Sequence, residues 1–326
     1  MKVLITGSNG FIGSHLVERL LTQNCQVRCL VRKASVLKWI EHLPIELVHG
    51  DITDFSSLAP LISNVDYIYH LGGVLRTNKE SEFFKVNCDG TKNLLEACRQ
   101  QNPSLKRFIY VSSQAAAGPS NSGTPLTEAD TPAPISMYGK SKLRAEEIVL
   151  DVQNIFPVTI IRPPAVYGPR DDDILGVFKY IKLGIKPLVG NQEKMVSIIY
   201  IADLVRGIHI AGEHPQAENE IFFISNRNGY SWIEIEDTIA RVMKKKTLTI
   251  RLPEFVLDIM ANLSEQMAGI FRNPAILNRD KAAEMKQNYW LIDSTKAESK
   301  LGFVSQISLG QGIEETYQWY RLQGWL

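Results

Sequence analysis

The first half of the chain alternates short apolar runs with amphipathic stretches, and this alternation restricts the possible folds more than any other feature. Strand-like runs fall at Lys2–Thr6, Gln26–Val31, Glu46–His49, Tyr67–Leu71, Arg107–Ser112 and Val158–Arg162. Helical patterns lie between them at Ile12–Leu21, Phe55–Ile62, Lys85–Arg99 and Ser136–Leu150. Strands joined through helices run parallel, because a parallel pair needs a crossover far longer than a hairpin turn. The runs are apolar at nearly every position, as strands covered on both faces must be. The pattern predicts an α/β protein with a doubly wound parallel sheet. After Gly168 the segments become mixed, with turns at Lys186-Pro187, Glu213-His214-Pro215 and Arg227-Asn228-Gly229. We expect residues 1–168 to form the sheet domain and 169–326 a smaller mixed α/β lobe carrying substrate contacts. The segment 196–226 is expected to return to the main body.

The chain of 326 residues balances 36 Lys+Arg against 35 Asp+Glu, a formal net charge of +1. No global field draws nucleic acid or an anionic membrane. Cys25, Cys29, Cys88 and Cys98 form no CxxC pair and have no zinc-like histidine spacing, so they read as small buried residues in a reducing compartment. Met1 and Lys2 run straight into an apolar strand, leaving no room for a signal peptide, and no apolar run is long enough to span a bilayer. A cytoplasmic location is expected. Asp171-Asp172-Asp173 reads as a solvated loop, and no metal site is expected.

The loop Gly7-Ser8-Asn9-Gly10-Phe11-Ile12-Gly13 follows a strand and opens a helix. Gly7 permits a sharp turn, Gly10 a close approach of backbone to phosphate, and Gly13 close packing of helix on strand. The free N–H groups and positive dipole end of the helix then suit a dinucleotide pyrophosphate. A glycine triplet alone can be a structural turn, so two further features matter. Where an acidic residue at the end of the second strand would mark NAD, this chain has Val31 followed by Arg32, Lys33 and Ser35. A guanidinium there matches a 2′-phosphate and favours NADP over NAD, unless Arg32 and Lys33 merely solvate a loop. At the end of the third strand, Asp51 can accept from the adenine amino group while Ile52 packs on the ring, although Thr53 or Asp54 would cap a helix there in any case.

Tyr138 and Lys142 lie four residues apart at the start of a helix and share one face. A neighbouring ammonium and an oxidised nicotinamide would both favour the phenolate, allowing Tyr138 to exchange a proton with a substrate oxygen. The Tyr-x-x-x-Lys spacing is common in helices. Ser112 and Ser113, ending the preceding strand, give it company, and Ser113 is the better placed to orient a substrate oxygen.

These motifs, with Gly50-Asp51, Val86-Asn87 through Thr91, Tyr110 to Ser113, and Arg162-Pro163-Pro164-Ala165-Val166-Tyr167-Gly168-Pro169, resemble the extended short-chain dehydrogenase/reductases. The resemblance covers nearly the whole chain, to Leu301-Gly302-Phe303 and the closing Trp325-Leu326. It implies a Rossmann fold and a Ser113–Tyr138–Lys142 catalytic triad. It also implies Asn87 near the active site, Pro163 and Val166 at the nicotinamide, and Leu71, Gly72 and Gly73 along the cofactor ribose. The helices Lys85–Arg99 and Ser136–Leu150 often form a dimer contact in this family, so a homodimer is expected.

Members acting on sugar nucleotides usually carry Asn where this chain has Ala165 and Arg where it has Val196. A buried diphosphate without such partners is strongly disfavoured, although Lys194 or Arg170 could stand in. The Arg162-Pro-Pro segment, Arg32 and the closing Gly324-Trp-Leu look instead like the hydroxysteroid dehydrogenase and dihydroflavonol reductase branch. The leading expectation is an NADP-linked reductase or dehydrogenase of a small, largely apolar substrate. A nucleoside-diphosphate-sugar epimerase or dehydratase is the alternative. A non-catalytic dinucleotide-binding regulator is a third, set against by the intact Tyr138 and Lys142. Val256, Ile259, Met260, Leu263, Met267 and Ile270 recur at helical spacing within Glu254–Phe271 and are expected to face a core or form a lid, with a substrate wall or an oligomer contact as alternatives; membrane attachment is not expected, because the opposite face is not basic.

Overall fold

A computed structural model describes residues 1–77, 79–271 and 277–326. Its main sheet contains β1 (Lys2–Thr6), β2 (Gln26–Val31), β3 (Glu46–His49), β4 (Tyr67–His70), β5 (Arg107–Val111) and β6 (Val158–Arg162), all where the apolar runs placed strands. A seventh strand, Glu220–Phe223, pairs with β6. The order runs from Glu220–Phe223 through β6, β5, β4, β1 and β2 to β3, and every pair is parallel. The order reverses between β1 and β4, where an open α/β sheet leaves a crevice at its carboxyl edge.

The strands are apolar at nearly every position because they feed two cores. In β1, Val3 and Ile5 enter one and Leu4 the other; in β5, Ile109 and Val111 oppose Phe108 and Tyr110 in the same way. The first core is covered by α1 (Phe11–Thr22) packed on the helix Ile201–Glu213; the second lies under the helices Gly90–Gln101 and Met137–Leu150. All four cysteines are buried thiols, and burial pushes the Cys29 thiol up to about 12.

Two predicted helices differ in detail. Phe55–Ile62 divides into a 3₁₀ turn at Phe55–Ser57, capped by Asp54, and a short helix at Ala59–Ile62. Lys85–Arg99 opens with a π-helical turn at Lys85–Asp89 before Gly90–Gln101; such widened turns recur at functional sites.

Beyond Arg162 three small sheets form. Ala165–Tyr167 pairs with Ile198–Tyr200, Ile185–Val189 with Leu248–Leu252, and Met195–Val196 with both Tyr230–Ser231 and Tyr289–Trp290. The chain's end is bound to the main body through Trp325 against Trp319 and Trp319 against Trp39, with ring centroids 4.9 and 5.6 Å apart.

Two expectations need correction. The Asp171-Asp172-Asp173 loop is solvated only in part: Asp172 and Asp173 are exposed, but Asp171 is buried, its carboxylate accepts from the Asp173 and Ile174 N–H groups, and its carbonyl accepts from Tyr320. The stripe on Glu254–Phe271 forms a helix, but it does not face a core. Ile259, Met260, Leu263 and Met267 are exposed, Val256 is half-buried, and Ile270 lies outside the residues whose side chains are described. The buried face is the narrower Leu257 and Ala261, packed on Val189, Leu277 and Ala282.

Candidate active site

The glycine loop is a backbone-only cradle. Gly7 has φ +70°, a left-handed conformation that side chains rarely tolerate, and a Cβ on Gly13 would lie 2.1 Å from the Gly7 carbonyl oxygen. α1 then starts at Gly10 with no side-chain cap and no acidic residue in its first turn. Its first N–H groups and dipole are therefore left for an anion, and the loop fits a dinucleotide pyrophosphate. Ser8 is buried at the turn, Phe11 and Ile12 are half-buried, and the Asn9 amide donates to the Val36 carbonyl at 3.2 Å.

The same turn abuts the end of β4. A Cβ on Gly7 would lie 2.8 Å from the Gly72 nitrogen, and one on Gly73 would lie 2.9 Å from the Asn87 side-chain oxygen. Leu71 packs against the first core. A buried chain of hydrogen bonds holds these pieces together. The Gly72 N–H donates to Thr6 Oγ1 at 2.9 Å, Thr6 meets His70 Nδ1 at 2.6 Å, and His70 Nε2 meets Thr91 at 2.9 Å. Thr91 in turn donates to the Asn87 carbonyl at 2.6 Å. A neutral His70 with its proton on Nε2 satisfies every link, and burial pushes its pKa down to about 3. The Asn87 amide continues the chain, donating to Ser141 Oγ at 2.9 Å and to the Val74 carbonyl at 3.2 Å. Ser141 lies between Tyr138 and Lys142, so the cofactor loop and the Tyr138 helix are joined by one network.

Ser113 and Tyr138 meet beyond the end of β5. Ser113 caps the short helix Gln114–Ala117, accepting from the Ala115 N–H at 3.1 Å, and its hydroxyl lies close enough to the Tyr138 phenol to influence its proton. The Phe83 ring stands 6.1 Å from that of Tyr138. Burial pushes the phenol up to about 12; the Ser113 hydroxyl opposes this and the Glu284 carboxylate adds to it. The chain's own groups thus favour the protonated phenol; the expected pull toward the phenolate involves the oxidised nicotinamide as well as the ammonium. Lys142 is buried and donates to the Val111 carbonyl at 2.8 Å, with its ammonium 4.2 Å from the Tyr110 ring centroid. Burial lowers its pKa to about 7, against the opposing pull of Glu146.

Ser112 serves a different purpose from Ser113. Its hydroxyl donates to the Glu146 carboxylate, which Arg162 also grips through Nε at 3.0 Å and through a terminal nitrogen at 2.6 Å. Glu146 was missed by sequence reasoning, yet a signal existed: it continues the Tyr138–Lys142 face at four-residue spacing. Arg162 gave another, because a charge inside a strand buried on both faces requires a partner. Asp280 and Glu284 left no such signal. The Asp280 carboxylate accepts from the Met137 N–H at 2.7 Å, and Ser136 donates to Glu284 at 2.7 Å, so the helix Arg279–Lys286 closes over the start of the Tyr138 helix.

The remaining predicted residues lie farther along the crevice. Val31 is buried, while Arg32 and Lys33 are exposed and form no ion pair among the described residues. The Asp51 carboxylate accepts from the Thr53 N–H at 2.9 Å and from its hydroxyl at 2.8 Å. Ile52 is buried against Gly90, where a Cβ would approach its Cδ1 to 2.8 Å, which leaves little of Ile52 for an adenine. The Pro163 carbonyl accepts from the Gln114 N–H at 2.7 Å, next to Ser113, and Val166 is half-buried opposite Ile199.

The two cations that could replace a diphosphate clamp are already engaged. Arg170 bonds Glu18 at 2.6 Å and Ser14 at 3.0 Å, and Lys194 donates to the carbonyls of Lys286 and Gln287 at 2.8 and 3.3 Å. Among the described residues no group of three or more His, Cys, Asp or Glu side chains could hold a metal ion.

The family profile described as the NAD dependent epimerase/dehydratase family matches residues 3–225. A ceramide reductase of Caulobacter vibrioides is 31% identical over 99% of this chain and 96% of its own length. A 3β-hydroxysteroid dehydrogenase/Δ5→4-isomerase of Mycobacterium tuberculosis is 27% identical over 98% of this chain and 90% of its own. Among solved structures, a UDP-glucose 4-epimerase of Thermotoga maritima with UDP-glucose shares the fold at a TM-score of 0.81, with 23% identity and 99% of each chain covered.

Proposed function

The chain belongs to the NAD-dependent epimerase/dehydratase family, and we propose that it is an NADP-dependent oxidoreductase acting on a carbonyl or secondary alcohol of a small, largely apolar molecule. The observation that carries this reading is the set of groups at the two clamp positions. Ala165 and Val196 offer a diphosphate nothing, and Arg170 and Lys194 are committed to neighbours within the chain. The similarity to a ceramide reductase and a hydroxysteroid dehydrogenase points the same way. For the cofactor, Arg32 and Lys33 are free cations beside the point where a 2′-phosphate would lie, while Val31 supplies no acceptor for a 2′-hydroxyl. Pro163 and Val166 are proposed to face the nicotinamide, Asp51 the adenine, and residues 169–326 to carry the substrate contacts.

The dinucleotide, when bound, supplies the hydride donor or acceptor. The chain does the rest. Ser113 and Tyr138 both point hydroxyls at one substrate oxygen, which fixes the carbonyl and polarises it. Tyr138, protonated at neutral pH in this setting, gives its proton to that oxygen during reduction and accepts one in the reverse direction. Lys142 replaces the lost charge balance at the phenolate from one helical turn away. Phe83 and the helix Arg279–Lys286 restrict water at the phenol.

The test is oxidation of NADPH by the purified chain with a panel of hydrophobic ketones, repeated with Tyr138→Phe. Turnover should fall on the order of a hundredfold or more with the phenol removed, as for loss of a general acid. Absence of NADPH oxidation with any such ketone, together with epimerisation of a UDP- or GDP-sugar, would establish the alternative reading of a sugar-nucleotide epimerase. Full activity in Tyr138→Phe would remove the proton donor from the scheme and favour a non-catalytic dinucleotide-binding role.

A further inference from the structure

The helix Glu254–Phe271 buries Leu257 and Ala261 and turns its other face to solvent. On that face Phe255, Ile259, Leu263 and Met267 are 62%, 52%, 55% and 58% exposed. They recur at every fourth position, one continuous ridge ~18 Å long at the rise of a helix. Met260 widens it. The strand leading into the helix adds Leu248 and Ile250, both exposed and on one face of Leu248–Leu252. Apolar side chains gathered this way on a soluble surface mark an interaction site.

The charges around the ridge indicate its partner. Lys244, Lys245 and Lys246 precede the strand with Thr247 between, and Arg251 lies within it; all four are exposed, and none forms an ion pair among the described residues. The acids on the helix are largely neutralised, Asp258 by Lys286 at 2.6 Å and Glu265 by Arg279 at 3.4 Å, which leaves Glu254. The uncompensated charge in the segment leading into the ridge is therefore positive, although the whole chain carries only +1. Among the described residues no helix is long and apolar enough to cross a membrane. A basic cluster followed by an amphipathic helix with an exposed apolar ridge suits the plane of a bilayer, with lysines at the headgroups and the ridge in the acyl boundary.

We propose that residues 244–267 dock the protein on an anionic phospholipid surface. The ridge helix rests on Ala282 of the helix Arg279–Lys286, whose Asp280 and Glu284 hold the first turn of the Tyr138 helix. Docking would bring the bilayer to within about one helix layer, ~10 Å, of the elements above Tyr138. An apolar molecule could then pass from lipid to the crevice without crossing water. The docking itself does not depend on the reaction proposed above.

The test is sedimentation of the full chain with vesicles of phosphatidylcholine, with and without phosphatidylglycerol. The protein should pellet with the anionic vesicles, release at high salt and bind the neutral ones far more weakly. Reversing three cations in Lys244→Glu/Lys245→Glu/Lys246→Glu should weaken binding about a hundredfold or more. Ile259→Ser/Leu263→Ser should weaken it at least about tenfold, with unchanged melting because both side chains are exposed. A Leu263→Trp probe should be quenched by brominated lipid. No pelleting with either vesicle, or pelleting that both sets of substitutions leave intact, would overturn the proposal. So would a dimer that Ile259→Ser/Leu263→Ser splits into monomers, because the ridge would then belong to a second copy. Vesicle binding without any NADPH oxidation would leave the docking face standing and refute the reaction alone.

Discussion

Glu146 and Arg162 form a buried ion pair directly beneath the candidate active site, their side chains 2% and 3% exposed and 2.6 Å apart. Removing one partner strands the other charge away from water. Glu146→Leu leaves a guanidinium without its carboxylate and the Ser112 hydroxyl without its acceptor, and should cost ~3–5 kcal/mol of stability. Arg162→Leu leaves an unpaired carboxylate that still accepts from Ser112, and should cost about as much. The double substitution removes both charges together. It should recover most of the loss, with a residue of ~1–2 kcal/mol for the orphaned Ser112 hydroxyl. Urea unfolding of the four chains, followed by tryptophan fluorescence, closes the cycle. A double variant costing the sum of the two singles would refute the coupling. The cycle also carries a catalytic readout. Glu146 is the first of the charges that oppose the downward shift of Lys142. The double variant should therefore regain its stability while turnover stays low, a split that a purely structural pair would not produce.

The remaining predictions address the cofactor and the proton. Gly13→Ala places a Cβ 2.1 Å from the Gly7 carbonyl oxygen, so NADPH binding measured by nucleotide fluorescence should be lost; wild-type affinity would contradict the close-packed loop. Arg32→Ala should raise the KM for NADPH on the order of tenfold or more, the worth of a charged hydrogen bond, and leave that for NADH nearly unchanged. Equal effects on both cofactors would remove Arg32 from the 2′-phosphate. Lys142 has its pKa lowered to about 7 by burial, so between there and its ordinary value near ~10.5 the unfolded chain binds the additional proton and stability should rise with pH. Ketone reduction that needs the ammonium should behave oppositely, with kcat/KM flat below about pH 7 and falling above it; a rate that climbs through that range would exclude a charged Lys142.

The sheet was legible because its strands are constrained from both sides. After Arg107 every residue of β5 meets a core, so four apolar side chains run without a break and mark its position. The seventh strand, Glu220–Phe223, was not identified as one, because four residues with a lysine-paired glutamate at one end do not stand out from their surroundings. The π-helical turn at Lys85–Asp89 was illegible for another reason. Its widened backbone accompanies bonds from Asn87 to Val74 and Ser141, partners 13 and 54 residues away that no local periodicity records.

In the candidate site, residues placed by backbone geometry or by spacing along one helix could be proposed from sequence, whereas those held by distant partners could not. Gly7, Gly10 and Gly13 follow from steric rules, and Tyr138 with Lys142 from helical spacing. His70 occupies a sequence position indistinguishable from other strand ends, yet it ties β1 to the Asn87 turn through Thr6 and Thr91. The Glu254–Phe271 stripe shows the limit most clearly. Helical spacing of apolar residues identifies a face, but it cannot say whether protein, lipid or another copy covers it. The same six residues are expected from sequence to face a core or form a lid, because burial is the usual reason for such a pattern. The structure assigns burial to Leu257 and Ala261 instead, small and few, and leaves the larger side chains outside. A helix anchored by so narrow a contact, packed on the helix that carries Asp280 and Glu284 and preceded in the chain by unpaired lysines, contributes little to folding by its own packing. Its composition is better accounted for by the anionic bilayer proposed above to cover it, which would connect the stripe to the site beneath it.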